Sequence, residues 1–337
     1  MDEQLTVSSS PHIRADEDTR AIMLDVLIAL LFPMAVAVYF FGWRTLSLTA
    51  FTVLCCVLFE YAYRKLLKKP VSVGDMSAAV TGALLAFVLP PATPYWMAAL
   101  GAFFAIVIVK QLYGGIGKNF LNPALAARAF LGGVASLSSF VEPLLDPRIP
   151  VLGAADTVAA ATPLAEESLE ALYSGVTLFS WQDMFLGQIP GSIGEVSAAL
   201  LLLGGVYLLI RRVITPIIPF AFIGTVALLT FAFPRGGVPR LEFMLYHLLA
   251  GGLMLGAIFM ATDYSTSPVT PRGQWLFGIG CGALTVFMRY FAAMPEGVCY
   301  SILLMNTVVW TLDKVGRPRR FGVRAFRRGE KGGKDHA

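Results

Sequence analysis

The stretch IMLDVLIALLFPMAVAVYFF, residues 22–41, is twenty residues long, and Asp25 is its one charged residue. A helix needs about 20 consecutive apolar residues to cross the hydrocarbon core of a bilayer. Nine further stretches are apolar enough, or nearly so: 47–64, 76–90, 96–113, 122–139, 193–210, 215–233, 241–261, 275–291 and 298–313. These runs are unbroken, whereas the strands of a membrane barrel alternate. The sequence therefore predicts an all-α polytopic membrane protein with about ten transmembrane helices.

The composition of the whole chain agrees with this fold class. Of its 337 residues, 56% are hydrophobic and 14% are charged. Soluble domains carry about 25% charged residues. The composition therefore excludes an ordinary soluble protein.

The basic residues predict which helix ends face the cytoplasm, since cytoplasmic loops beside membrane helices retain Lys and Arg. With the N terminus inside, most of the 26 Lys and Arg residues fall in inside segments and in the tail 314–337. The other side holds a small set: Arg44, Arg148, Arg235 and Arg240. We therefore expect a multi-pass protein surrounded by lipid in a bacterial cytoplasmic (inner) membrane, with both termini cytoplasmic. Because this topology explains the basic tail, we expect no nucleic-acid partner.

Two short echoes suggest that the chain consists of two related halves. PATP at 91–94 follows the third predicted helix, and PVTP at 268–271 follows the eighth. The echoes fall on opposite faces of the membrane, which is typical of inverted repeats, although Pro and Thr are also common at helix boundaries. The predicted organisation is a cytoplasmic segment (1–20), a first five-helix repeat (21–139), an extracytoplasmic loop (140–192), a second, inverted five-helix repeat (193–313) and a basic cytoplasmic tail (314–337).

The extracytoplasmic loop contains the stretch DTVAAATPL at 156–164. Loops longer than about 15 residues are usually functional or disordered, and the aromatic residues of this one could pack against the membrane face. One interpretation of the stretch is a helix start, with Thr162 as N-cap and Pro163 at the first helical position. The same geometry suits a phosphate, because the amides of the first turn and the helix dipole attract an anion. The residues alone leave both interpretations open.

A second break, YGGIGKNFLNPALAARAF at 113–130, joins the fourth and fifth predicted helices. Asn122 is suited to cap the fifth helix, with Pro123 at its first position. Three glycines leave the backbone free to bend close to a ligand: Gly114, Gly115 and Gly117.

Five ionisable residues lie inside predicted helices or at their ends: Glu60, Arg128, His247, Asp263 and Arg289. Such residues are costly in lipid unless they face a cavity or each other. They indicate either an internal polar path or side chains that reach the interface from helix ends. A lone histidine such as His247 is more often a packing residue than a ligand. The four cysteines lack a CxxC spacing, so we expect no metal site within this chain.

Separated segments of the chain together resemble one family of membrane subunits. They are DTVAAATPL, GGIGKNFLNPALAARAF, GSIGEVSAALLLLGG (191–205) and MATDYSTSPVTPRGQWLFG (260–278) followed by MPEGVCYSILLMN (294–306). In these segments the chain is similar to the family formed by the D-type subunits of the Rnf electron-transport complex and, more distantly, by the B-type subunits of the sodium-translocating NADH:quinone oxidoreductase. The resemblance runs from about residue 20 to 322, and it implies ten helices in two inverted halves.

The resemblance also implies two flavins. FMN would be joined through its phosphate to a threonine on the outer face, which is Thr162 here. Asp156, Ala161 and Pro163 match the motif around that threonine, whereas Ala159 and Ala160 depart from the usual Ser/Thr and Gly. A second, noncovalent riboflavin would lie within the bundle. The residues that we expect near it are Gly114, Gly115, Gly117, Asn122, Ser265, Thr266, Ser267 and Pro268.

The implied function is electron relay in an ion-translocating ferredoxin:NAD+ oxidoreductase, coupled to Na+ or H+ translocation. The expected partners are the other Rnf membrane, flavin and iron–sulfur subunits, a flavin transferase for maturation and, indirectly, ferredoxin and NAD. The chain has no NAD-binding fingerprint after a strand, so we expect it not to be catalytic alone. The alternatives are a component like the B-type subunit of the NADH:quinone oxidoreductase, a solute channel or secondary transporter without flavin, and a scaffold whose loop has lost its flavin.

Overall fold

The computed structural model describes residues 18–137, 163–164, 166–174, 179–187, 189, 191–195, 197–292 and 297–316. Every regular element in these ranges is helical, as the unbroken apolar runs predicted. The α-helices are α1 Thr19–Phe41, α2 Trp43–Leu66, α3 Ser77–Phe87, α4 Tyr95–Phe103, α5 Pro123–Leu137, α6 Glu166–Tyr173, α7 Trp181–Leu186, α8 Ala198–Ile210, α9 Ile217–Ala232, α10 Arg240–Leu249, α11 Leu253–Leu255, α12 Pro271–Phe291 and α13 Gly297–Gly316. Two π-helical segments, Phe104–Gln111 and Gly256–Met260, continue α4 and α11.

Each of the ten predicted membrane stretches contains a helix or a pair of helices. Among the described residues, three helices are long and apolar enough to cross a membrane: α1, α2 and the part of α13 from Gly297 to Val315. A fourth span forms if α10 and Leu253–Met260 are taken together, although the pair is bent by 64°. Other apolar helices are shorter: Ser77–Phe87, Tyr95–Gln111, Ala198–Ile210 and Ile217–Ala232. The chain is therefore a multi-pass helical membrane protein with several short or broken helices.

Two predicted spans are longer than the helices that they contain. α3 ends at Phe87, just before the Pro90–Pro91 pair, because proline cannot continue the hydrogen-bond ladder of a helix. α8 begins at Ala198 rather than at residue 193. The Ser197 hydroxyl accepts a hydrogen bond from the Leu200 amide at 3.4 Å and so caps this helix.

Close contacts at glycine join helices within each half of the bundle. A Cβ on Gly82 of α3 would lie 2.7 Å from Val53 Cα of α2. In the second half, a Cβ on Gly282 of α12 would lie 2.9 Å from the Phe222 carbonyl oxygen of α9. Small residues allow helix backbones to approach closely in membranes. α2 packs on α3 and α4, and α9 packs on α10 and α12, which is the pairing expected if the two halves are repeats.

The two halves meet where α1 packs on α8 and α5 packs on α13. A Cβ on Gly204 of α8 would lie 2.8 Å from the Ala29 carbonyl oxygen of α1, so these backbones are also close. One hydrophobic cluster extends through both halves and includes large side chains such as Phe87, Phe222 and Phe277. The two halves therefore share a core.

The connections between helices gather at the two ends of the bundle. One end, here named the basic face, contains residues 67–76, 112–122, 211–216 and 261–270, and the Tyr264 hydroxyl donates there to the Val213 carbonyl. The other end, named the loop face, contains residues 88–94 and 233–239 together with α6 and α7. At this end the Ile193 amide donates to the Leu89 carbonyl at 3.1 Å. Most Lys and Arg residues of the described connections lie on the basic face, as the predicted topology requires.

A separate hydrophobic cluster lies on the loop face: Leu164, Leu172, Met184, Ile189, Val238, Phe243, Tyr246 and Ala250. The cluster joins residues of the predicted extracytoplasmic loop to α10 and its flanks. Of the loop's aromatic residues, Tyr173 and Phe179 pack against this cluster, so the predicted packing is confirmed for these two. Trp181, in contrast, is 51% exposed.

Candidate functional site

The predicted FMN site lies partly outside the described residues. Asp156, Ala161 and Thr162 fall outside them, whereas Pro163 is buried in a turn. α6 begins at Glu166, so the prediction that Pro163 occupies the first position of a helix capped by Thr162 is wrong. In a helix, the Pro163 carbonyl would accept a hydrogen bond from the amide four residues later. Here it accepts one from the Tyr246 hydroxyl of α10. Because no helix begins at Pro163, the prediction that first-turn amides at this position attract a phosphate has no support.

Tyr246 of α10 holds Pro163 in position. Its hydroxyl donates to the Pro163 carbonyl oxygen at 2.6 Å, and both residues are buried. Leu164 is 3% exposed and lies over Gly251, where a Cβ would come within 2.5 Å of Leu164 Cδ1. Gly251 also has a φ of 57°, which glycine adopts without strain. The two residues after Thr162 are thus attached to the end of α10 by a hydrogen bond and by apolar contact.

Arg289 of α12 stabilises the break at which α10 ends. The guanidinium donates to the carbonyl oxygens of His247 at 2.6 Å, Ala250 at 3.1 Å and Gly251 at 3.3 Å. The last carbonyl groups of a helix have no partner within the helix, and the helix dipole favours a cation beside them. Arg289, which is 5% exposed, supplies both the donors and the charge. The break is therefore a defined feature of the fold.

Aromatic rings surround the buried end of α10. His247 is fully buried, and neither of its ring nitrogens has a partner among the described residues. Its ring centroid lies 4.5 Å from that of Phe243 and 5.8 Å from that of Tyr290. These contacts favour the interpretation of His247 as a packing residue. The guanidinium carbon of Arg235 lies 4.4 Å from the centroid of the Tyr290 ring. Burial raises the pKa of the nearby Tyr173 hydroxyl, and the positive charge of Arg235 reduces this shift.

The residues predicted near riboflavin lie on the basic face, beside a cavity of about 90 Å³. Asn122 from the first break and Ser265 from the second both line it. The fold therefore brings together two breaks that are far apart in the sequence. Asn119 also lines the cavity, and its buried Oδ1 has no partner among the described residues. A polar atom is thus available to a ligand there.

The three glycines of the first break do not line this cavity. Their φ angles are 114° at Gly114, 93° at Gly115 and 79° at Gly117, so the predicted bend of the backbone is confirmed. A Cβ on Gly114 would meet the Lys118 side chain at 2.7 Å, and one on Gly115 would meet the Arg64 guanidinium at 2.6 Å. The space beside these two glycines is therefore occupied by the side chains of Lys118 and Arg64.

Asn122 caps α5 as predicted. Its Oδ1 accepts hydrogen bonds from the amides of Ala124 at 3.0 Å and Leu125 at 3.4 Å. Pro123 is the first residue of the helix, where its missing N–H costs nothing.

The same asparagine connects the two halves of the bundle. Its Nδ2 donates to the Met260 carbonyl at 3.2 Å. The side-chain amide of Asn306 in α13 is oriented so that both its oxygen and its nitrogen have partners. The oxygen accepts from the backbone N–H of Asn122 at 3.2 Å, and the nitrogen donates to the Thr266 carbonyl at 3.0 Å. Thr266 is therefore joined to Asn122 through one side chain. Two other predicted residues of the second break do not line the cavity: Ser267 and Pro268.

A buried ion pair borders the cavity. Lys110 Nζ lies 2.8 Å from Glu60 Oε2 and 2.7 Å from Ser77 Oγ. Lys110 and Ser77 both line the cavity. Lys110 belongs to the π-helical segment that continues α4, and π-helical turns are frequent at functional sites. Glu60 therefore has a charged partner, which offsets the free-energy cost of burying its carboxylate inside the membrane protein.

Asp263 lines the same cavity from the connection between the second π-helical segment and α12. Burial raises the pKa of its carboxyl above the ordinary value, and hydrogen bonds from Thr266 and Ser265 reduce this shift without reversing it. The distances from Asp263 Oδ2 are 3.2 Å to each of the two hydroxyl oxygens. The basic face therefore combines carboxyl, ammonium and amide groups around one small space.

The size of the cavity limits what can bind there. Pockets for cofactors usually measure about 300–1,000 Å³, whereas this cavity measures about 90 Å³. The three fused rings of riboflavin do not fit into it in this conformation, although the polar groups around it suit the hydrogen-bonding edge of a flavin. Riboflavin binding stays a prediction.

The sequence reasoning missed three residues that make central contacts in these sites: Ser77, Tyr246 and Asn306. Asn306 offered a signal, because it is a polar residue among the apolar residues of α13. Tyr246 offered none, since its acceptor on Pro163 is 83 residues away in the sequence.

Comparison with known proteins gives matches along nearly the whole chain. A family model described as NQR2, RnfD, RnfE family matches residues 6–322. The chain is 48% identical over 322 residues to the D-type subunit of the Na(+)-translocating ferredoxin:NAD(+) oxidoreductase complex of Acetobacterium woodii, a match that covers 95% of this chain and 96% of the relative. It is 42% identical over 326 residues to the D-type subunit of the proton-translocating ferredoxin:NAD(+) oxidoreductase complex of Clostridium ljungdahlii, with coverage of 95% and 96%. It is 39% identical over 330 residues to the D-type subunit of the ion-translocating oxidoreductase complex of Stutzerimonas stutzeri, with coverage of 90% and 92%.

Proposed function

Since this chain belongs to the NQR2, RnfD, RnfE family, we propose that it is the D-type membrane subunit of an ion-translocating ferredoxin:NAD+ oxidoreductase complex. The observation that carries this proposal is the identity of 48% to a relative with that name, over 95% of this chain and 96% of the relative. The intact complex is the enzyme, and this chain is one of its redox subunits.

The second part of the proposal is that FMN is attached through its phosphate to Thr162. When bound, a flavin accepts and donates one or two electrons. The chain's own support is the buried turn at Pro163 and Leu164, which is attached to the C-terminal end of α10. Because neighbouring Cα atoms are about 3.8 Å apart, a group on the residue before Pro163 would start close to this turn. A fixed starting point is what a redox group needs for defined distances to its electron donor and acceptor.

The described residues would serve this role by holding the segment and excluding water beneath it. Tyr246 and Leu164 attach the turn to α10, and Arg289 holds the end of α10 against α12. The apolar cluster of the loop face packs beneath. We propose that electrons pass between ferredoxin and NAD through several subunits, of which this chain is one station, and that their transfer drives Na+ or H+ across the membrane.

The proposed location is a bacterial cytoplasmic (inner) membrane, with both termini in the cytoplasm and the loop 140–192 outside. Its support is the concentration of Lys and Arg on the basic face. The proposed partners are the other Rnf membrane, flavin and iron–sulfur subunits, surrounding lipid and, during maturation, a flavin transferase. Ferredoxin and NAD would react with other subunits.

A solute channel or secondary transporter is less well supported. Transporters of this kind present the free backbone groups of broken helices to an ion or a solute. Here the three carbonyl groups at the end of α10 accept hydrogen bonds from Arg289. No step of the proposed mechanism is assigned to riboflavin, whose binding is a separate prediction.

The test is to purify the complex after coexpression with a flavin transferase and to view this subunit on a denaturing gel under ultraviolet light. We expect a fluorescent band for the wild type, no fluorescence for Thr162→Ala, and retained fluorescence for the control Thr162→Ser, which keeps a hydroxyl. Mass spectrometry of the peptide containing Thr162 identifies the attached group. An unmodified wild-type peptide would overturn the covalent FMN. Unchanged ferredoxin-dependent NAD reduction by an assembled Thr162→Ala complex, measured with and without sodium, would overturn the relay.

A further inference from the structure

We propose that Arg64 and Lys118 on the basic face form a binding site for the phosphate group of an anionic phospholipid such as phosphatidylglycerol. Arg64 lies in the last turn of α2, and Lys118 lies in the first break. The inference depends on the chain being a membrane protein and not on a flavin or on electron transfer. Its success or failure therefore leaves the proposed function untouched.

Two glycines of the first break bring these cations together. A Cβ on Gly115 would lie 2.6 Å from Arg64 Nη2, and a Cβ on Gly114 would lie 2.7 Å from Lys118 Cδ and 3.6 Å from Lys118 Nζ. Because both glycines lack a side chain, a guanidinium and an ammonium group can lie over neighbouring residues. Two like charges repel each other in such an arrangement, and an anion between them offsets the repulsion.

Arg64 is held in place by its protein neighbours. Its Nε donates to Gln111 Oε1 at 3.3 Å, and its Nη1 donates to the Pro70 carbonyl oxygen at 2.8 Å. The Glu60 carboxylate lies 3.9 Å from Nε and is shared with Lys110. Nη2 has no acceptor among the described residues. The guanidinium is therefore fixed with one nitrogen left for a phosphate oxygen, to which it would form a charge-assisted hydrogen bond.

Four lysines around Arg64 add to the positive charge: Lys65, Lys68, Lys69 and Lys118. All four are exposed, and none of them forms an ion pair within the described part of the chain. Clusters of basic residues at the end of a membrane helix attract anionic lipid headgroups. The described residues therefore leave the charge of this corner to an anion outside the chain.

Exposed apolar side chains beside these cations favour a lipid over a soluble anion. Leu66 and Leu112 are exposed, as are Tyr113 and Phe120 on either side of the glycines. The two rings pack edge to face, with centroids 4.9 Å apart. A free phosphate gains nothing from apolar surface, whereas acyl chains bury it. Tyrosine is also typical of the membrane–water interface. A phospholipid supplies both the anion and the chains.

The experiment uses the intact complex in nanodiscs of phosphatidylcholine that contain a small fraction of photoactivatable phosphatidylglycerol. After irradiation, chymotryptic peptides of this chain are analysed by mass spectrometry, because lysine substitutions leave the cleavage sites of chymotrypsin unchanged. We expect labelling of the wild type in residues 60–71 and 112–120. Labelling of Lys118→Gln should be about fivefold weaker, which is the effect of removing one cation near an anionic lipid surface. Lys118→Arg keeps the cation and should keep the labelling.

Lys314→Gln is the matched control. Lys314 is also an exposed lysine, and the preceding Asp313 accepts a hydrogen bond from the Val269 amide of the basic face at 3.0 Å. The Nζ of Lys314 packs on the Trp310 ring, 3.2 Å from its centroid, and so takes no part in the proposed site. The variant removes the same charge from the same face, and labelling of residues 112–120 should equal that of the wild type.

Four results would overturn the inference. Equal labelling of residues 112–120 in the wild type and Lys118→Gln would show that this cation does not bind the lipid. Equal labelling by photoactivatable phosphatidylcholine, which has no net charge, would show that the negative charge is not recognised. No labelling of the wild type would show that another subunit covers these residues in the complex. Loss of labelling on addition of millimolar inorganic phosphate would show that the site takes a free anion.

Discussion

Lys110 and Glu60 form an ion pair inside the bundle, with Lys110 Nζ 2.8 Å from Glu60 Oε2 and side chains that are 3% and 0% exposed. The second carboxylate oxygen of Glu60 accepts a hydrogen bond from Ser72 Oγ at 2.5 Å. Each charge alone would be costly in this position. The two residues therefore form one unit, in which neither can be replaced without affecting the other.

We predict that Glu60→Leu destabilises the protein by about 3–5 kcal/mol, because it leaves the charge of Lys110 buried and unpaired. Lys110→Met should destabilise it by less, because Glu60 keeps the guanidinium of Arg64, whose Nε lies 3.9 Å from Glu60 Oε1. The double variant should be more stable than the sum of the single effects implies, since it buries no unpaired charge. The measurement is the free energy of unfolding in detergent, arranged as a double-mutant cycle. Lys65→Met is the control, because Lys65 is exposed on α2. Equal effects of Lys110→Met and Lys65→Met would contradict the prediction.

Gly282→Ala should destabilise the contact between α12 and α9 by about 1–3 kcal/mol, as overpacking does. The new Cβ would lie 2.7 Å from Thr225 Cβ and 2.9 Å from the Phe222 carbonyl oxygen. Gly224→Ala in α9 is the control, because a Cβ there meets nothing within 4 Å, and alanine favours the helix by up to about 1 kcal/mol. Thermal unfolding of both variants checks the difference. A lower melting temperature for Gly224→Ala than for Gly282→Ala would refute this account of the packing.

Asp263 should make stability depend on pH in a defined direction. Its folded pKa is raised by burial above the ordinary value of 3.8, so the folded state favours the protonated carboxyl. The resulting penalty is absent below the ordinary pKa and develops as the pH rises through the folded pKa. We therefore expect Asp263→Asn to be more stable than the wild type at neutral pH and to lose this advantage below about pH 4. Unfolding measured across this pH range checks the sign, and an advantage that grows on acidification would show it to be wrong.

Local features of the chain predicted much of the fold. Apolar length identified the helical stretches, and the Asn122–Pro123 cap and the bend at Gly114 were confirmed because each depends on neighbouring residues. The helix start at Pro163 was wrong for the opposite reason. The structure of that turn depends on a hydrogen bond to Tyr246, which is 83 residues away in the sequence.

The candidate sites show the same division. Motif residues identified Asn122 and Ser265 separately, but their common cavity follows from the packing of the two halves. The link from Asn122 through Asn306 to Thr266 joins three separate segments. No pattern within any one of these segments indicates its partners.

Hydrophobic length, charge distribution and helix caps are local properties, so the order of residues was enough to establish a multi-pass helical chain with its breaks. The pairing of Lys110 with Glu60 and of Tyr246 with Pro163 came from the folded bundle. The physical reason is that a buried polar group must find a partner wherever packing offers one, and in this protein those partners lie on helices or turns that are distant in the chain.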